Sequence, residues 1–284
     1  MGEVRPAAVA GTWYPGTRAA LERAVDSHLE AAGNDATANR DATSCPLALI
    51  APHAGLMYSG PVAAYAYRLV RGCSYDAIVM VGPSHYVGFE GVSIWPRGAW
   101  DTPVGPVTVA EDLAAEIAAA SPAIAERPAA HAREHSLEMQ MPFIARLLPG
   151  VPVVPLVMGY QTRQTAEQLG DTLARTLGQR AAGVERARVL LVASSDLSHF
   201  NDARTASRMD GVIARHVDGF DPEALMDALE REPGHACGGG PMVAVLRAAR
   251  TLGASRARVL RYGDSGDVSG DKASVVGYMA AAAW

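Results

Sequence analysis

Residues 187–199 read ARVLLVASSDLSH, an unbroken apolar run that ends in a short polar stretch. Two further stretches have the same order, LALIAPH at 47–53 and DAIVMVGPSH at 76–85. A fourth apolar run covers residues 151–158. Runs rich in Val, Ile and Leu that do not alternate with polar residues are typical of strands buried on both faces, which occur in parallel or mixed sheets covered by helices. The runs therefore predict four strands of one such sheet.

Stretches with helical periodicity lie between these runs. Predicted helices cover residues 18–32, 61–71, 111–120, 165–177, 203–216, 222–230 and 241–252. The polar stretch at 33–44 is expected to be a surface loop, and residues 259–262 and 274–279 are expected to be two more strands. Alternation of strands and helices predicts an α/β fold, with a mixed, largely parallel sheet flanked by helices. Because no repeat or linker interrupts the pattern, residues 1–284 are predicted to form a single domain.

The composition argues against several classes of protein. Of the 284 residues, 49% are hydrophobic and 19% are charged, which indicates a folded chain. A net charge of −5 without a basic stripe argues against a nucleic-acid partner. No apolar run approaches the ~20 residues of a membrane span and no secretory leader is recognisable, so we expect no membrane partner and a cytoplasmic location. The chain also lacks the P-loop, GxGxxG and GxSxG motifs of ATP-binding, NAD-binding and serine-hydrolase proteins.

Histidines follow three of the predicted strands, at the point where each strand ends. They are His53, His85 and His199, the last with Asp196 three residues before it. In open α/β sheets, ligands bind outside the carboxyl ends of the strands. One histidine in such a place is commonly a surface or core residue, but three in the same topological position indicate a site. Two imidazoles from neighbouring strand ends are also suitable metal ligands.

The three cysteines, Cys45, Cys73 and Cys237, are odd in number and widely spaced, so no disulfide framework is expected. Cys237 precedes three glycines and Pro241, and proline is typical of the first helical turn. A helix N-terminus lowers the pKa of a cysteine, so we expect a thiolate that could bind metal or attack a substrate. The alternative is a small buried residue before a tight turn. Cys45 and Cys73 are expected to be inert or exposed.

Residues 131–143 read HAREHSLEMQMPF and are dense in polar groups. Glu134, His135 and Glu138 are spaced to share one helical turn, and Pro142 either kinks that helix or begins a second one. These side chains could orient the ligands of a metal, or they could form a solvated helix face.

Six motifs in the order of the chain resemble those of the Memo-like family, whose bacterial members are often called AmmeMemoRadiSam system protein B. They are APHAGLMYSG, VGPSH, WDTPVG, EHSLEMQMPF, SSDLSHF and CGGGP, and the opening RPAAVAGTWYPG matches as well. The resemblance covers nearly the whole chain, from about Arg5 to the last strand. It implies a fold similar to that of the class III extradiol dioxygenases, which use nonheme iron held by two histidines and a carboxylate.

Carried over onto this sequence, the resemblance implies that His53, His85 and Cys237 bind a metal, with the cysteine in the place of the carboxylate. A thiolate makes such a site softer, which suits both iron and copper. Fe(II), the ion of the dioxygenases, is the expected metal, with copper or zinc as alternatives. Some members of the family carry a second histidine where this chain has Tyr86. That difference affects any role given to the second histidine but not the three ligands.

The resemblance also implies that His199 is a general acid/base and that Asp196 orients it. Three functions remain open: a redox enzyme of dioxygenase type, a non-catalytic scaffold that binds peptides or protein partners in an inherited pocket, and a zinc hydrolase with a metal-activated water. The bacterial family name implies joint action with a radical-SAM protein and an AMMECR-type protein in one pathway. The substrate would be a small molecule that the sequence does not identify.

Overall fold

The structure is a computed structural model that describes residues 4–34, 44–181 and 188–284. The strands are β1 (Val4–Arg5), β2 (Ala48–Ala51), β3 (Ala77–Pro83), β4 (Val92–Ile94), β5 (Ala99–Trp100), β6 (Val107–Thr108), β7 (Ile124–Glu126), β8 (Val153–Met158), β9 (Val189–Ser194), β10 (His199–Asn201), β11 (Ala257–Asp264) and β12 (Val275–Ala283). The helices are α1 (Arg18–Gly33), α2 (Leu56–Tyr67), α3 (Glu111–Ala119), α4 (Pro128–Ala132), α5 (Met141–Leu147), α6 (Arg163–Ala181), α7 (Ala203–Asp218), α8 (Pro222–Arg231), α9 (Gly239–Thr251) and α10 (Gly266–Ser269). Single 3₁₀ turns are formed by Arg68–Val70, Glu138–Gln140 and Pro233–His235.

Nine strands form the main sheet in the order β10-β12-β2-β9-β3-β8-β4-β7, with β11 also paired to β12. The neighbours β2, β9, β3 and β8 are all parallel. Strands β12 and β4 flank this parallel centre in antiparallel pairings. The predicted mixed sheet is therefore confirmed, with its parallel part at the centre, where the four apolar runs lie.

At the centre of the sheet, every residue of β2, β3, β8 and β9 is buried. Helix α9 packs on β3 and β9, and α6 packs on α9. Helix α2 contacts β2 and β12, toward the β10 end of the strand order. Covering such strands with helices removes their apolar surface from water, which is the main favourable contribution to folding. No helix among the described residues is both long and apolar enough to cross a bilayer.

A buried ion pair ties the start of the chain to the segment 131–143. Arg5 lies 2.6 Å from Glu138, and both side chains are 1% exposed. The Arg5 guanidinium also donates to the carbonyl oxygens of His131 and Glu134. A continuous helix would use these two carbonyls for its own amides, so Arg5 takes part in ending α4. The predicted helical turn shared by Glu134 and Glu138 is accordingly wrong, and Pro142 begins the separate helix α5.

The structure also corrects the expectation for two cysteines. Cys45 and Cys73 form a disulfide across a sequence separation of 28 residues. They precede β2 and β3, so the bond joins the entrances of two strands that both pair with β9. The count of three cysteines hid this pair because the third, Cys237, is free. Of the predicted loop at 33–44, residues 35–43 lie outside the described residues.

Helix boundaries differ most at α2, which begins at Leu56 and contains Pro61, the residue at which the prediction started the helix. Its first turn is held from outside, because the amide of Leu56 donates to the carbonyl of Trp13. The helix therefore begins directly after the loop that carries His53.

Candidate metal centre

The parallel centre of the sheet brings two predicted histidines together. His53 lies two residues beyond β2 and His85 two residues beyond β3, and both strands pair with β9. The register aligns Ala51 and Ser194 at the ends of β2 and β9. The two imidazole rings lie edge to face with centroids 5.2 Å apart. This confirms that the loops after these strands converge, as the topology predicts.

A third imidazole joins them from a segment where no strand ends. Candidate ligand atoms of His53, His85 and His135 all lie within 4.8 Å of one another. His135 stands between α4 and the 3₁₀ turn Glu138–Gln140, and its ring stacks on that of His85 at 4.5 Å and 18°. The sequence identified His135 only as a side chain that could orient ligands. The polar segment around His135 indicated a role near the site. Because His135 follows no predicted strand, the sequence did not indicate that its ring joins His53 and His85.

The hydrogen bonds of His53 assign the protons on its ring. Ser194 Oγ donates its single proton to the carbonyl of Ser136 and accepts from the side-chain amide Nε2 of Gln140. The contact of 2.9 Å between His53 Nδ1 and Ser194 Oγ must then be donated by the histidine. His53 Nε2 therefore carries a lone pair, which is the state that binds a metal ion.

Glu134 does the same for His85 through a carboxylate. Its Oε1 accepts from His85 Nδ1 at 2.8 Å, and its Oε2 accepts from the amide of His85 at 2.6 Å. The amides of His135 and Ser136 also donate to Oε1. Burial alone would raise the pKa of Glu134, but these bonds, first among them that with His85, lower it to about 2. An ionised carboxylate holding Nδ1 leaves Nε2 of His85 as the free nitrogen.

Two of the three histidines are neutral near pH 7. Burial, together with the neighbouring His85, lowers the pKa of His53 well below its ordinary value. Burial, with His53 and His85 nearby, lowers the pKa of His135 to about 4. These rings can therefore approach one another without the repulsion of two positive charges, and their lone pairs remain available.

Cys237 lies on another side of His53. Its Sγ is 3.2 Å from His53 Nε2 and accepts from the amide of Asp196 at 3.3 Å. The expected lowering of the Cys237 pKa by the helix N-terminus is not found. Burial, reinforced by the charge of Asp196, raises the pKa of Cys237 instead. The expected thiolate is thus wrong for the metal-free pocket, because loss of solvation outweighs the N-terminus of α9. Cys237 is outside the close set of three histidines, and its role as a ligand stays a prediction.

The loop of Cys237 needs glycine for a steric reason. A Cβ on Gly238 would collide with the backbone carbonyl of Ser194 at the end of β9. The amide of Gly238 donates to Ser195 Oγ, and Gln161 bridges the carbonyl of Cys237 and the amide of Gly240. Close packing of this loop on the end of β9 therefore places the Cys237 sulfur beside His53.

His199 and Asp196 lie in the same region, but they do not form the expected pair. His199 Nδ1 donates to the carbonyl of Leu197 at 2.8 Å, which leaves its Nε2 as an acceptor. Asp196 Oδ1 instead accepts from the amides of His53 and Ala54. Burial raises the pKa of Asp196, and the amide of His53 opposes that shift. In this structure Asp196 positions the loop of His53, and a backbone carbonyl orients His199.

Exposed aromatic side chains surround the imidazoles. Trp13, 36% exposed, packs against the ring of His135 at 4.3 Å. Tyr86 is 49% exposed, and its hydroxyl lies 3.2 Å from His135 Nδ1. Phe200 is 77% exposed at a φ of 63° and packs edge to face with His199. A bulky residue with positive φ is a genuine outlier, and it occurs here in a β-bulge beside the candidate site.

Comparison with known proteins identifies the family of this chain and supports its fold. The pattern of the family described as Memo-like protein matches residues 5–282. A MEMO1 family protein of Thermotoga maritima is 38% identical over 238 residues, which cover 83% of this chain and 82% of that protein. One of Aeropyrum pernix is 35% identical over 283 residues, 98% of this chain and 99% of that protein. A solved structure of an uncharacterized protein from Escherichia coli K12 has a TM-score of 0.55 at 16% identity, covers 83% of this chain and 99% of that chain, and supports the fold alone. With a match from Arg5 to Ala282, the chain belongs to the Memo-like family.

Proposed function

We propose that this protein binds a redox-active transition metal and acts with it as an oxygen-dependent oxidoreductase. The observation that carries the proposal is the pair His53 and His85, whose Nδ1 protons are held by Ser194 and Glu134, which leaves the Nε2 lone pairs for a metal ion. Metal-binding histidines commonly donate the other ring N–H to a hydroxyl, carbonyl or carboxylate in this way. Cys237 is the proposed third ligand, because its sulfur already contacts His53 Nε2.

The donor set suits both Fe(II) and copper, and the family resemblance favours Fe(II). Imidazole suits iron, copper and zinc, and a sulfur ligand favours the softer of these ions. When bound, nonheme Fe(II) supplies open coordination positions for O₂ and a substrate. Ser194, Glu134 and Gln140 keep the imidazoles in their metal-binding tautomers through hydrogen bonds made entirely between protein groups.

His199 is the proposed general acid/base. Its Nδ1 proton is held by the Leu197 carbonyl, so Nε2 can accept a proton from a substrate and return it. The ring is only partly buried, which allows a small molecule to reach it. Asp196 acts through the His53 loop, to which its carboxylate is hydrogen bonded.

The test is an anaerobic Fe(II) titration by calorimetry, followed by O₂ uptake with a panel of catechols and small reductants. We expect tight binding by the wild type and a weakened affinity in His53→Ala. His199→Ala should retain its affinity for Fe(II) and lose about 10²–10⁴-fold in turnover. The control is His216→Ala, on α7, which should match the wild type in both measurements. Fe(II) binding without O₂ uptake from any compound would argue for a non-catalytic scaffold.

Zinc is a second candidate, supported by the three-histidine set. Three histidines with an open fourth position form a recognised catalytic zinc site that lowers the pKa of a bound water. This alternative predicts hydrolysis of ester or amide substrates by the Zn²⁺-loaded protein, with no O₂ uptake by the Fe(II)-loaded protein. The two assays together distinguish the candidates.

A further inference from the structure

The geometry points to His135 as an additional metal ligand, oriented by Tyr86, in the same centre as His53 and His85. This inference rests on the proposed metal site and extends it. The motif resemblance assigns His53, His85 and Cys237 as ligands and leaves His135 without a role. The structure instead groups His135 with the two histidines.

The position of His135 is the first argument. It is 7% exposed, and it reaches the cluster from a backbone segment shared with Glu134. Glu134 Oε1 accepts both from His85 Nδ1 and from the amide of His135. One carboxylate oxygen thus fixes the ring of one histidine and the backbone of the other. The two rings are held nearly parallel with centroids 4.5 Å apart, and a candidate ligand atom of each lies within 4.8 Å of the other and of one on His53.

The contacts around the ring are the second argument. Tyr86 Oη lies 3.2 Å from His135 Nδ1, and Trp13 packs against the ring at 4.3 Å. A phenol oxygen can accept the Nδ1 proton, which leaves Nε2 as the metal-binding atom. In all three histidines Nδ1 therefore faces a protein oxygen: Ser194 Oγ, Glu134 Oε1 and Tyr86 Oη.

Imidazole nitrogens that carry a lone pair are hydrogen-bond acceptors, so three of them within 4.8 Å cannot satisfy one another. Cys237 Sγ lies 3.2 Å from His53 Nε2, but a thiol is only a weak donor. A divalent cation would satisfy all three nitrogens at once. With three imidazoles in place, the chain binds a metal through nitrogen alone, and Cys237 becomes a fourth donor that adjusts the preference for soft ions.

The experiment uses Zn²⁺ alone. Because zinc is redox-silent, its binding can be measured without oxidation of the metal by O₂. The variants are His135→Ala, Tyr86→Phe and His53→Ala, with His216→Ala as the control. Affinity is measured by competition with a chelator, and the ligands are counted by X-ray absorption at the zinc edge. Circular dichroism and thermal unfolding of the apo proteins show that each variant is folded.

We expect three imidazoles on zinc in the wild type and two in His135→Ala, with an affinity lowered by more than about 100-fold. Tyr86→Phe should keep three imidazoles and lose about 10–100-fold in affinity, because an outer partner of a ligand is removed. Two imidazoles in the wild type, or an unchanged affinity in His135→Ala, would overturn this inference. If His53→Ala still loses binding in that case, the proposed metal site itself stands. Wild-type affinity in His53→Ala would overturn both this inference and the proposed site.

Discussion

Glu134 and Glu138 are buried carboxylates four residues apart, yet they serve different regions of the molecule. Glu138 accepts from Arg5, Tyr14 and the amides of Ala8 and Val9, all of which are groups of the N-terminal segment. Four donors of the protein occupy its two oxygens, so Glu138 serves the packing of the N-terminal segment. We call this the Arg5–Glu138 region.

Glu134 accepts instead from an imidazole whose second nitrogen is free. Its partner His85 has a side chain that is 27% exposed, whereas the partner of Glu138 is 1% exposed. Residue type and burial are nearly the same for the two carboxylates, so neither indicates which one serves the candidate metal centre. The distinction lies in whether the partner's remaining polar atoms are satisfied within the protein or face an opening.

The largest expected effect is on the Arg5–Glu138 region. Glu138→Gln should lower the free energy of unfolding by about 3–5 kcal/mol, because it leaves the buried Arg5 charge unpaired. Urea unfolding measures this loss. The double variant Arg5→Met/Glu138→Gln is the control and should recover part of it, since the unpaired charge is also removed.

In either variant that remains folded, Zn²⁺ affinity should stay within a few-fold of the wild type. A loss of stability under about 1 kcal/mol in Glu138→Gln would show that the ion pair is dispensable. A large loss of Zn²⁺ affinity would show that the two regions are not separate.

The next effect concerns the second carboxylate. Glu134→Gln should weaken Zn²⁺ binding by about 10–100-fold, because an amide holds His85 Nδ1 less strongly than a carboxylate does. Competition with a chelator measures the affinity, and unfolding of the apo protein measures stability. Glu116→Gln, which removes an exposed partner of Arg180, is the matched control and should change neither. If Glu134→Gln destabilises the apo protein as much as Glu138→Gln and leaves affinity intact, the comparison fails.

The last effect appears only on acidification and is the pH dependence contributed by His131 in the Arg5–Glu138 region. Ser93 Oγ donates to the carbonyl of Arg127, so His131 Nε2 donates to Ser93 and its Nδ1 carries a lone pair. Burial, together with the charge of Arg5, lowers the pKa of His131 to about 3.

Below pH 6.5 the unfolded chain therefore binds a proton at His131 that the folded protein does not bind. Stability is complete above that pH, and as the pH falls toward 3 this residue removes up to about 1.4 kcal/mol per pH unit. His131→Gln should flatten the slope of unfolding free energy between pH 6 and pH 4, and His216→Gln should not. Equal slopes in the wild type and His131→Gln would contradict the buried, neutral state.

The sequence was sufficient for the parts of the site that lie close to strand ends. An apolar run without polar alternation indicates a strand buried on both faces, and parallel neighbours end at one edge of the sheet. His53, His85 and His199 follow such strands within a few residues, so their placement depends on local chain connectivity. The motif resemblance then indicated the family, which the comparisons confirm.

Only the tertiary structure decided which distant groups meet and how each one is protonated. Cys45 and Cys73 are bonded, Asp196 holds the His53 loop rather than His199, and His135 joins a cluster that no strand leads to. The protonation of Cys237 depends on the solvent that folding removes, and this outweighs the local helix end that the sequence displays. Hydrogen-bond partners and burial arise here from contacts between segments 28 to 143 residues apart, and periodicity and spacing report only on neighbours along the chain.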